Sequence, residues 1–156
     1  MSAARAEIEE LYREYVDALD EGELALWPEL FLADGVYRIA SRENVERGLP
    51  LAAMLCEGRG ALRDRVWAIE HASFYVPRAQ RHVLSSLRIA DEGADAWRVA
   101  ANYAVFQSLP EQLSTVFSVG RYRDRLARGA DGRIRFAEKL CIYDSALIPN
   151  SLVLPL

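Results

Sequence analysis

WRVAANYAVFQSL (97–109), VFSVGRYRDRL (116–126) and RIRFAEKLCIY (133–143) follow one another, with PEQLS and ARGADG marking the breaks. In the first run Trp97, Val99, Ala101, Tyr103 and Val105 share one face and Arg98, Ala100, Asn102, Ala104 and Phe106 the other. This is the two-residue period of a pleated strand. The second run sets Val116, Ser118, Gly120, Tyr122, Asp124 and Leu126 against Phe117, Val119, Arg121, Arg123 and Arg125, and the third sets Ile134, Phe136, Leu140 and Ile142 against Arg135, Lys139, Cys141 and Tyr143. Connections this short exclude helical crossovers. The three runs therefore form an antiparallel meander, with Asp131-Gly132 supplying positive-φ turn chemistry to the second hairpin. A long twisted sheet with an apolar face needs a cover.

The rest of the chain supplies that cover. Ile8, Leu11, Tyr12, Tyr15, Val16 and Leu19 recur at helical spacing, with Glu7, Glu9, Glu10, Arg13, Glu14 and Asp17 elsewhere around the axis. Gly22 ends this amphipathic helix. A second short helix follows, with Trp27, Leu30 and Phe31 on one side and Pro28 near its first turn. Strands are predicted at 35–40 and 51–57, although AAML within the latter suits a helix equally well. A third helix spans 60–70, with Leu62, Val66 and Ile69 on one side. An irregular connection through Pro77 leads to a strand at 82–89, closed by the turn Asp91-Glu92-Gly93. The order is helix, helix, strand, strand, helix, then four strands. In the tail, IPNSLVLPL (148–156), Pro149 and Pro155 bracket Leu152, Val153 and Leu154, so it is unsuited to a central strand and expected to dock.

A length of 156 residues fits a single domain over 1–156, one that buries about 68–70% of its unfolded surface. Composition, 51% hydrophobic and 27% charged, is that of a globular protein. No stretch reaches the roughly 18 consecutive apolar residues of a membrane span, and MSAARAEIEE has no apolar run of a secretory signal, so a cytoplasmic protein without membrane contact is expected. A net charge of −4 argues against nucleic acid as a partner. The two cysteines, Cys56 and Cys141, read as reduced and packed.

Three helices on one curved, mainly antiparallel sheet, in this order, resemble the cone-like α+β fold of the nuclear-transport-factor-2-like superfamily. That fold serves isomerases, dehydratases and non-catalytic subunits alike. At residue level, RENVERGLPLAAMLCEGRGALRDRV (42–66), Tyr75-Val76-Pro77 and Arg81-His82-Val83-Leu84-Ser85 resemble the small (β) subunits of ring-hydroxylating oxygenases, closest to the salicylate and anthranilate type. FSVGRYRDRLAR (117–128) and RIRFAEKLCIYDSALIPNSL (133–152) extend the likeness over essentially the whole chain. The resemblance implies a structural role in aromatic-compound catabolism. It implies a large (α) subunit partner carrying a Rieske [2Fe–2S] cluster and a mononuclear iron, with three large and three small subunits in the assembly and the small ones self-associating as a trimer.

The residues agree with metals held elsewhere. A Rieske centre takes paired Cys and His, whereas Cys56 and Cys141 have no histidine two or three residues away. A mononuclear iron takes two His and a carboxylate on one face, and His71 and His82 fall near a helix end and on a strand with no carboxylate placed beside them. Gly58-Arg59-Gly60 lacks the third glycine of a dinucleotide loop. No catalytic, cofactor or metal residue is assigned to this chain. The candidate interface is Arg121, Arg123 and Arg125, which strand alternation aims to one side with Arg135 and Lys139 on the next strand, together with Leu152, Val153 and Leu154 of the tail. A solvated face is the plain alternative. Two other functions compete. One is a stand-alone dehydratase or isomerase whose pocket uses Asp34, His71 or His82 and a strand tyrosine such as Tyr103 as acid and base; Asp34 also reads as a turn or cap residue. The other is a homo-oligomeric scaffold or ligand-binding module.

Overall fold

The computed structural model describes residues 2–73, 75–147 and 152–156. The chain runs α1 (Ser2–Asp20), a 3₁₀ helix (Leu24–Leu30), β1 (Phe31–Ser41), α2 (Arg42–Glu46), β2 (Met54–Glu57), α3 (Gly58–His71), β3 (Ala79–Gly93), β4 (Ala96–Ser108), β5 (Thr115–Arg128) and β6 (Ile134–Tyr143). The strands form one curved sheet in the order β2-β1-β6-β5-β4-β3. The meander read from the sequence is present: β4, β5 and β6 pair antiparallel, with Tyr103 opposite Gly120 and Tyr122 opposite Cys141. β1 runs parallel to β6, Tyr37 opposite Lys139, which joins the two ends of the chain in one α+β sheet. Gly132 takes φ +81° in the β5/β6 turn.

The helices cover one face. α1 buries Ile8, Leu11, Tyr12, Tyr15 and Leu19, and α3 buries Leu62, Val66 and Ile69, each such side chain contributing about 1.5–3 kcal/mol. Between helices and sheet the packing is aromatic, with Tyr12 and Tyr15 edge-on to Phe136 at 5.5 Å and Trp27 edge-on to Tyr37 at 5.0 Å. These T-shaped arrangements suit the ring quadrupoles. No helix among the described residues is long and apolar enough to cross a membrane.

Several expectations need correction. The second helix is 3₁₀, and Phe31 belongs to β1 instead. Pro28 is its fifth residue, not near the first turn, and without an N–H it cannot continue an α ladder. β1 starts at Phe31 with an irregularity before Val36, where Gly35 passes so close to β6 that a Cβ would lie 2.9 Å from the Phe136 carbonyl oxygen. The strand expected at 51–57 shortens to Met54–Glu57, and α2 was not foreseen. Ser41 caps α2 by accepting from the Asn44 N–H at 3.1 Å. β3 is longer at both ends than 82–89.

The consequential correction is Lys139. Arg125 pairs with Glu138 while Leu126 pairs with Phe136, leaving Ala137 as an extra residue in β6. One inserted residue inverts the alternation. Lys139 and Cys141 therefore face the interior at 0% exposure, opposite the arginine row, and Leu140 and Ile142 turn to the outer face.

Candidate functional site: the closed interior and the open outer face

Asp124 and Lys139 sit opposite each other on β5 and β6, both fully buried, with Nζ 3.0 Å from Oδ2. Tyr12 of α1 donates its hydroxyl to the same oxygen, and the Leu140 N–H reaches Oδ1 at 3.2 Å. The ammonium also lies 3.4 Å from the Tyr122 ring centre and 4.3 Å from that of Tyr15. Burial pushes the Asp124 carboxyl up, opposed by the Lys139 charge and these hydrogen bonds. Burial likewise holds the Tyr12, Tyr15, Tyr37, Tyr103 and Tyr122 phenols above their ordinary range, so they stay protonated. The charged pair is engaged, Tyr12 donates to Asp124 and Tyr15 to the Leu156 carbonyl, and the Tyr122 hydroxyl has no hydrogen-bond partner among the described residues; the arrangement is suited to locking α1, β5 and β6 together.

The tail closes this interior. Leu156 is 1% exposed; its N–H donates to the Tyr37 hydroxyl at 2.7 Å, and its carbonyl accepts from the Tyr15 hydroxyl and from the Cys141 thiol at 3.3 Å. Arg65 of α3 donates to the Val153 carbonyl at 2.8 Å. Leu152, Val153 and Leu154 pack, half-buried, on the chain's own core.

The candidate pocket residues do not converge. Asp34 is exposed in the irregular part of β1. His71 is exposed, stacked on Trp67 at 4.9 Å and bonded to the Trp67 carbonyl. Tyr103 is inside the cone, stacked on Tyr122 at 4.6 Å with its hydroxyl 3.2 Å from Ser118 Oγ. His82 faces inward from β3 and is paired with Asp20, the last residue of α1, at 2.6 Å. Asp20 was missed, although a carboxylate at a helix C-terminus opposes the helix dipole and so signals a task elsewhere. Asp124 was missed too; its place on the apolar face of its strand was the available sign.

Among the described residues, no group of three or more His, Cys, Asp or Glu side chains is arranged to hold a metal ion. Both cysteines are buried, and burial pushes the Cys141 thiol up to about 12, the wrong direction for a thiolate ligand.

The outer face of the sheet is different. Strand register aligns Val83, Ala104 and Val119 across β3, β4 and β5, with Phe106 opposite Val116 beside them. Val83, Val116 and Val119 are 54%, 58% and 45% exposed, so this apolar strip is uncovered by the chain itself. Next to it lies a cleft of about 260 Å³ lined by Arg88, Arg121, Arg123 and Asn102. Arg98 and Arg125 continue the basic patch but are tied to Glu92. Arg88, Arg121 and Arg123 have no ion pair among the described residues. Arg88 is an addition to the expected row, brought in by β3 pairing; Arg135 lies at the far end, clamped by Asp131 at 2.7 Å.

Comparison with known proteins places the chain. Residues 1–139 match the SnoaL-like domain family. The chain is 35% identical to the small subunit of anthranilate 1,2-dioxygenase from Burkholderia cepacia over 150 residues, 96% of this chain and 92% of that one. It is 26% identical to the β1 subunit of the terminal oxygenase component of terephthalate 1,2-dioxygenase from Comamonas sp., over 91% and 92%. A crystal structure of a β subunit assigned to the aromatic-ring-hydroxylating dioxygenases, from Novosphingobium aromaticivorans DSM 12444, superposes with a TM-score of 0.89 at 33% identity, covering 99% and 98%. The chain thus belongs to the SnoaL-like domain family, among the small subunits of aromatic-ring dioxygenases.

Proposed function

We propose that this chain is the assembly subunit of the terminal oxygenase in a multicomponent aromatic-ring dioxygenase, binding a large subunit and contributing no catalytic side chain. The Rieske cluster and the mononuclear iron belong to that partner, since neither the buried thiols nor the separated histidines of this chain fit them. The aromatic carboxylates named for the relatives, anthranilate and terephthalate, point to the substrate class, which the large subunit's pocket selects. A cytoplasmic assembly of three large and three small subunits, built on a trimer of this chain, is part of the same proposal.

The observation that carries it is the outer face of the sheet. Three guanidinium groups without an ion pair among the described residues flank an exposed aliphatic strip, the combination enriched at protein contacts. Carboxylates on the large subunit complement it. Arg121→Glu/Arg123→Glu reverses that charge at exposed positions, where substitutions typically alter stability by within ±0.5 kcal/mol. We expect an unchanged melting temperature, binding to the large subunit weakened by at least about tenfold, and ring oxidation by the mixture reduced in step. Undiminished binding and turnover in the double variant would remove the outer face from the interface.

A further inference from the structure

The cleft of about 260 Å³ on the outer face of the sheet is built by strand register. Ala100 of β4 stands between Arg88 of β3 and Arg123 of β5, and Asn102, two residues on, stands between Ser85 and Arg121. A methyl group thus floors a gap between two arginines whose backbones are two strand spacings, about 10 Å, apart. Arg88 reaches this face only through a defect in its strand. Pairing slips between Ser85 and Arg88, whereas regular alternation would put Leu87 opposite Ala100. The extra residue turns Leu87 to the inner side, where it packs against the core, and brings Arg88 to the outer one. Ser86 bears the strain, at φ +56°. Bulges and non-glycine residues in the left-handed region are concentrated at binding sites, where they re-aim a side chain.

The charge of this cleft is uncompensated. No carboxylate lines it among the described residues, although the chain carries 23 acidic against 19 basic residues. Arginines elsewhere on the surface find partners, Arg47 in Glu43, Arg81 in Glu21 and Arg133 in Glu14. Even the neighbouring Arg98 and Arg125 share Glu92. Arg88, Arg121 and Arg123 therefore repel one another until an anion enters. Each guanidinium presents a planar fork of donors that matches a carboxylate. Forks on opposite sides of an apolar floor suit two carboxylates held apart by a flat apolar body. The volume, below the roughly 300–1,000 Å³ of drug-sized sites, limits that body to a single small ring.

We propose that this cleft binds a small dicarboxylate, two carboxylates separated by a ring, in the isolated subunit. One carboxylate takes the Arg88 fork, the other takes Arg123 with Arg121 and the Asn102 amide beside it, and the ring lies on Ala100. The site shares Arg121 and Arg123 with the contact surface proposed above but does not rest on it, because it is read without a large subunit.

The test titrates the full chain, at constant ionic strength, with terephthalate, with 4-carbamoylbenzoate, which has the same shape and one charge fewer, and with inorganic phosphate, whose charge sits on one centre. NMR follows the arginine Nε–H groups and the amides of Ala100 and Asn102. We expect saturable terephthalate shifts at both, with binding about tenfold tighter than that of either other anion. Ala100→Phe keeps all three charges but fills the floor at an exposed strand position, and should abolish the terephthalate shifts. Arg88→Gln should weaken terephthalate about tenfold, while Arg133→Gln, which removes the same charge far from the cleft, should leave it unchanged; this pair decides the matter even if Ala100→Phe does not fold. No saturable shift, phosphate or 4-carbamoylbenzoate binding as tightly as terephthalate, terephthalate retained in a folded Ala100→Phe, or equal losses in Arg88→Gln and Arg133→Gln would each overturn the proposal.

Discussion

Lys139→Met strips the ammonium from a pair in which both side chains are fully buried. Asp124 keeps the Tyr12 hydroxyl and the Leu140 N–H as donors but loses its countercharge at 3.0 Å. Removing one partner of a buried pair costs about 3–5 kcal/mol, because the remaining charge is stranded in apolar surroundings. For a chain of this length each kcal/mol lowers the melting temperature by about 2–4 °C, so a fall of about 6–20 °C is expected. The pH dependence has a definite sign. Burial already raises the Asp124 carboxyl above its ordinary value, and loss of Lys139 raises it further. In the window between the ordinary and the raised value the folded state holds a proton that the unfolded state has released, so stability falls as pH rises through it. The variant is therefore damaged most at neutral pH and recovers part of the loss in acid. Lys139→Met/Asp124→Asn removes both charges and should regain most of the loss. Urea unfolding of the three proteins, parent, single and double variant, at pH 7 and pH 5 measures all of this. A single variant within about 1 kcal/mol of the parent, or a double variant no better than the single, would refute the role assigned to the pair.

Gly120→Ala should not fold to the native state, since a Cβ there would lie 1.9 Å from the Ile142 carbonyl oxygen and β5 and β6 would have to separate. The cost exceeds the roughly 1–3 kcal/mol of ordinary overpacking, and circular dichroism with a solubility assay checks it. Cys141 should resist iodoacetamide in the folded protein, because its buried thiol, pushed up to about 12, supplies almost no thiolate. Peptide mass spectrometry across a urea series should show labelling that follows unfolding, and rapid labelling of the native protein would contradict the closed interior.

The meander was legible because β4, and β5 from Gly120 onward, alternate cleanly: Val99, Ala101, Tyr103 and Tyr122 point in, and Arg98, Asn102 and Arg121 point out; earlier in β5 a register shift leaves Phe117 as an extra residue, turned inward instead of onto the arginine face, with Val116 turned out. The same rule failed in β6, where a bulge at Ala137 turned Lys139 inward; nothing in FAEKL distinguishes a bulged strand from a regular one before its neighbour is known. α1 announced itself through Ile8, Leu11, Tyr15 and Leu19, but its last residue, Asp20, acquires meaning only when β3 brings His82 beside it. The arginine row was visible as a periodicity, whereas Arg88 and the Val83–Ala104–Val119 strip depend on register between distant strands. Local pattern thus decides elements, while sites assembled from three or four elements require the pairing itself.

The most direct measurement is the mass of the complex formed when this chain is mixed with the large subunit of its oxygenase, read by native mass spectrometry alongside ring oxidation by each component alone. The prediction is a discrete complex containing equal numbers of both subunits, no oxidation by this chain by itself, and iron only on the large subunit. Separate masses with no shared species, or ring oxidation by this chain in isolation, would contradict a subunit built to hold a catalytic partner.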